Sequence, residues 1–175
     1  MRRSTRTLVL IAILVLAALG AWWFLTSRRV TVVPQTIAIY YTKLDGSTEG
    51  AWQVTMHPPQ PGESPTAYLT ETAQYAAVQA VAGPPPSVEA IRFPAGTRVN
   101  GVRLDGSVAI VDLGGAIERP QAGSFAENGE FKALVYTLTA LPGIDAVQVE
   151  IDGHRVETLP GGHLALDVPL RRSDW

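Results

Sequence analysis

The 175-residue chain contains no cysteine. Disulfide scaffolds, thiolate metal centres and lipid attachment through a cysteine are thereby excluded. Acidic residues are missing from positions 1–29, which carry five Arg. Residues 30–175 hold the other nine Lys and Arg and all 16 Asp and Glu, a formal charge of −7. That deficit of cations argues against nucleic acid, whose binding requires clustered Lys and Arg on phosphates. Histidine is scarce: His57 stands before prolines, His154 after a turn and His163 among glycines. None has ligand spacing to another, so no metal is expected. No G-x-S-x-G and no phosphate-cradling glycine pattern occurs, so no catalytic residue and no cofactor are expected. The length leaves room for one ordinary globular core.

The longest apolar run is Leu8–Leu25, with no charge and only Gly20 not apolar. Eighteen helical residues span about 27 Å, close to the hydrocarbon core of a bilayer. The basic segment 1–7 contains Arg2, Arg3 and Arg6, which the positive-inside rule keeps in the cytoplasm. Trp22 and Trp23 would sit at the outer interface. The expectation is a single transmembrane anchor over 8–25 in contact with lipid, with the rest of the chain outside the cytoplasm. The alternative is a signal peptide cleaved near Ala18, Gly20 or Ala21, although the run exceeds a usual h-region. Residues 26–36 form a linker, and 37–158 the domain, leaving 159–175 as a tail.

Within the domain, Ile37–Thr42 alternates like a half-buried strand, Asp45-Gly46 makes a turn, and Ala51–His57 reads as a second strand. Four prolines in 58–65 impose a loop. Leu69, Ala73, Ala76, Ala77, Ala80 and Val81 mark one face of a helix over 66–82, stopped by Gly83-Pro84. Asp105-Gly106 joins strands Arg98–Asp105 and Ser107–Leu113. The second of these is apolar on both faces and reads as central. A second helix starts near Ser124, with Glu127 completing a capping box, and its stripe is Phe131, Leu134, Val135, Leu138 and Leu141. Asp145–Ile151 follows as a strand, and Asp152-Gly153 turns it into a partner strand, His154–Thr158. The expected fold is α+β, a single mixed sheet packed by two helices in the order β-β-α-β-β-α-β-β. Asp112 is expected to cap loop amides, and Tyr136 and Thr137 to hydrogen-bond within the core or reach a partner.

Three blocks then occur in order. They are Val81-Ala82-Gly83-Pro84; Phe93-Pro94-Ala95-Gly96-Thr97 with Asp105-Gly106 and the strand ending Asp112-Leu113; and Leu134–Thr139 with Tyr136-Thr137, followed by Ile151-Asp152-Gly153. Together they resemble the GerMN domain of sporulation and spore germination proteins over about 37–157. The chain departs in having Ala140-Leu141 where an acid and Phe are common. The resemblance implies no catalysis and no cofactor. It implies a secreted or membrane-anchored bacterial interaction module, with an envelope protein as partner or weak self-association. An envelope ligand-binding module for peptidoglycan or a small molecule is the second expectation, and a hydrolase the third.

Overall fold

The structure is a computed structural model that describes residues 15–17, 19, 35–48, 50–118 and 123–175. The chain divides into two compact units, Met1–Thr31 and Val32–Trp175. In the first, only Val15–Ala17 and Leu19 are described, and they are helical. Among the described residues no helix is long and apolar enough to cross a membrane. The expected transmembrane helix is therefore not an element of the described fold. The rest of 8–25, with Trp22 and Trp23, lies outside the described residues.

The second unit runs β1 (Thr36–Tyr41), β2 (Gly50–Thr55), α1 (Pro65–Ala82), β3 (Thr97–Asp105), β4 (Val108–Gly115), α2 (Ser124–Leu138) and β5 (Ala146–Ile151). Helix α1 starts where Ser64 Oγ accepts from Ala67 N and Pro65 supplies a pre-set φ. All six apolar positions that define its face are buried, four of them alanines. Small side chains let the helix axis come close to its neighbours.

The strands form two sheets, not one. β1 and β2 pair antiparallel, while β4 lies between antiparallel β3 and parallel β5. The physical reason is what occupies the far edge of β1. Tyr40 N donates to the hydroxyl of Thr137 on α2, and Thr42 O accepts from Ile91 N in a loop. Backbone groups that could have joined the larger sheet are thus satisfied by a side chain and a loop. Side-chain periodicity reports which face a residue points to, and is silent on which strand lies alongside.

The sixth strand, His154–Thr158, is also corrected. Only one isolated bridge forms, Ile151 with His154. Asp152 (φ +45°) and Gly153 (φ +80°) turn the chain sharply. The edge position beside Val147 is then taken by Leu170, through Leu170 N→Val147 O (2.8 Å) and Val147 N→Leu170 O (2.9 Å). Leu159, Leu166 and Leu170 are buried in the core with Phe131, Leu134 and Val149. The stretch 159–170 therefore works as a strap along β5.

Candidate functional site

The residues singled out in the sequence hold turns and joints. Gly83 closes α1 at φ +78°, ψ 176°, a region open essentially to glycine, and donates its N–H to Gln79 O. A Cβ there would lie 2.9 Å from Arg92 Nη1. That guanidinium donates to the carbonyls of Pro84 (2.6 Å), Pro85 (3.0 Å) and Val88 (2.9 Å), pinning the proline loop. Pro94 O accepts from Thr97 N, and Gly96 (φ +96°) accepts from Ala116 N. Asp105-Gly106 forms the β3–β4 turn.

Two groups of these residues come together. At one end of the larger sheet Asp112 Oδ1 accepts from Gly153 N (2.8 Å), and Asp152 Oδ1 from Asn100 Nδ2 (3.1 Å). This carboxylate capping of loop amides is the role read for Asp112. On α2, Thr137 Oγ1 accepts from Tyr40 N, and the Tyr136 ring meets Tyr40 edge-on at 6.1 Å. The Arg172 guanidinium lies 4.7 Å from the Tyr136 centroid and 5.4 Å from that of Tyr40. It also donates to Tyr136 O and Thr139 Oγ1. These bonds and ring contacts fasten the C-terminal stretch to α2. Gly83-Pro84, Pro94–Thr97 and Asp105-Gly106 join neither group.

Sequence reasoning missed a buried acid pair. Ser124 does not cap α2; Gly123 does, with no side-chain bond. Glu127 turns instead into the interior, where its Oε2 accepts from His163 N (2.7 Å) in the strap. Glu127 and Glu130 are 1% and 3% exposed, and among the described residues Glu127 Oε1 and Glu130 Oε2 have no hydrogen-bond partner. Burial first, and the Glu127 charge second, push the Glu130 carboxyl up to about 8. The signal was available. Both acids fall one helical turn or two from Leu134, on the apolar stripe itself.

A groove of about 410 Å3 lies between the end of β2 and α1, lined by Met56, His57, Glu71, Tyr75 and Val78 among others. His57 Nδ1 faces Pro58 O at 2.8 Å and Nε2 faces Glu71 at 3.0 Å. The Pro58 carbonyl, and then Glu71, raise its pKa. Both ring nitrogens point at acceptors, so neither is free to take a proton from a nucleophile. Among the described residues no group of three His, Asp or Glu is placed to hold a metal ion.

A family model described as Germane, sporulation and spore germination, matches residues 38–157. Among solved structures, the tandem GerMN domains of the sporulation protein GerM from Bacillus subtilis match with a TM-score of 0.59 at 23% identity, over 82% of this chain. This chain covers 48% of that tandem, about half its length. The first GerMN domain of the same protein matches at 0.58 and 24% identity, over 82% of this chain and all of that domain. A Clostridium perfringens protein provisionally described as a lipoprotein matches at 0.51 and 18% identity, over 79% and 88%. At these identities the likeness is one of fold. No curated protein gives a significant match.

Proposed function

The chain belongs to the Germane family of sporulation and spore germination domains, and from that premise we propose a non-catalytic interaction module in the bacterial cell envelope. The observation that carries the reading is where the polar chemistry has gone. Asp112, Asp152, Arg172, Thr137 and Glu127 are all engaged in turns, straps and joints. Asp112 does border a shallow groove of about 180 Å3 with Asn100 and Arg103, but its carboxylate is already bonded to Gly153 N. The apolar stretch 8–25, with Arg before it, serves to carry the domain out of the cytoplasm and to hold it at the membrane, or is cleaved as an export leader. The partner is an envelope protein, or a further copy held weakly.

Affinity capture of the full chain from membranes tests this. A reporter fused after Trp175 should be active outside the cytoplasm, and chemical crosslinking in membranes should join the domain to protein neighbours. The open groove beside Tyr75 and Val78 favours a second reading, an envelope ligand site. Tight binding to purified cell-wall fragments without protein crosslinks would make that the better account.

A further inference from the structure

We propose that the outer edge of β2 is a self-pairing surface, on which two copies of this chain join β2 to β2 antiparallel about a two-fold axis at Gln53. The inference rests on the reading of the domain as an interaction module, and names the surface. Its starting point is backbone accounting. Met56 N donates to Gln35 O, so by alternation Val54, Trp52 and Gly50 bond to β1. Ala51, Gln53 and Thr55 then direct their N–H and C=O groups away from it. All three are exposed, and among the described residues nothing bonds to those groups.

Such an edge is a template for another strand unless the sequence blocks it. β2, Gly-Ala-Trp-Gln-Val-Thr, carries no charge and no proline, and its register with β1 is unbroken. The edges of the larger sheet differ. Those are closed: β3 is bulged between Val99 and Gly101 and carries exposed Arg98, Arg103 and Asp105, while β5 lies under the strap.

The occupant follows from charge and size. Antiparallel self-pairing at Gln53 sets Ala51 opposite Thr55, Trp52 opposite Val54 and Gln53 opposite itself. Like meets like with no charge repelled, and the half-buried Trp52 and Val54 extend into one apolar row. A charged peptide finds nothing complementary on this strand. Six residues span about 20 Å, and their pairing covers far less than the ~1,200 Å2 of a stable interface. The contact is therefore weak in dilute solution and is favoured when copies are crowded on a surface.

The native chain has no cysteine, which makes crosslinking clean. The full chain carrying Gln53→Cys, oxidised in membranes of expressing cells and again as concentrated purified protein, should give a disulfide-linked dimer. Paired Cα atoms about 5.5 Å apart suit the bond. Ala51→Cys or Thr55→Cys alone should give at least fivefold less, and a mixture of the two should restore it. Adding Ala51→Lys and Thr55→Lys to Gln53→Cys should cut the dimer by a similar factor, with the melting curve unchanged. The proposal is overturned if Gln53→Cys yields no more dimer than Arg98→Cys on β3, or if its thiol traps a different protein. An amine-reactive crosslinker separates the two levels. Products through other faces with a silent Cys at 53 sink the edge alone; no products at all sink the interaction module as well.

Discussion

The two sheets of this domain treat their edges in opposite ways. The three-stranded sheet buries β4 between two partners, bulges and charges β3, and covers β5 with Leu170. The two-stranded sheet leaves β2 neutral and, among the described residues, unpaired on its outer side. Both have the same backbone chemistry, so the difference lies in side chains and in what the rest of the chain was folded over. Protection of an edge is written into residues outside the strand as much as within it. The larger sheet holds most of the buried strand residues. The smaller one is where the surface is open.

The sharpest break of that contrast is a pair of truncations. Phe131 on α2 is fully buried and meets Phe93 edge-on at 5.7 Å, so Phe131→Ala should cost about 3–5 kcal/mol. Trp52 on β2 is only half-buried, and Trp52→Ala should cost distinctly less in the same denaturant titration. Equal losses would mean that the two sheets share one core on equal terms.

A second, somewhat smaller effect depends on pH. Glu130 is held near 8 in the folded chain and titrates near 4.5 when unfolded. The folded state keeps a proton that the unfolded state releases, so stability falls as pH rises from about 4.5 to about 8 and then levels off. Glu130→Gln should remove that slope and gain on the order of 1–3 kcal/mol at pH 8, read from melts across the range. A wild-type curve flat over this window would refute the burial argument.

The charge on the β3 side gives a smaller effect of opposite sign. Arg103 donates to both oxygens of Glu150 at 2.8 and 2.6 Å, and this partner first lowers the Glu150 pKa. That contribution is present above the unfolded carboxylate pKa and disappears as pH falls through the folded one. Arg103→Ala should destabilise at neutral pH and converge with wild type in acid. The smallest effect sharpens the comparison without any mutation. Outward amides of Ala51, Gln53 and Thr55 should exchange with solvent orders of magnitude faster than those of β4.

Much of this architecture is legible in the residues. Asp-Gly pairs mark turns at 45–46, 105–106 and 152–153, and the alanine face of α1 is plain. The both-sided apolarity of Val108–Leu113 gives away the central strand. The number of sheets is not legible, because it turns on Thr137 and Ile91 intercepting the edge of β1. Those contacts span tens of residues and leave no local period. Glu127 misled for a related reason. Three positions after a serine it fits a capping box, yet its place on the apolar stripe sends it inward to His163.

The strap has a consequence for the order of events in folding. β3 and β4 close through a tight turn, whereas Val108 of β4 must find Ala146 38 positions later, after α2 has formed between them. Leu170 lies 23 positions beyond Val147 and is synthesised later still. Contacts so far apart in the chain are slow to close, and each waits on the one before. During that interval β5 is itself a bare strand, as adhesive as β2 remains for good. A chain emerging N-terminus first passes through a stage with two sticky edges and ends with one.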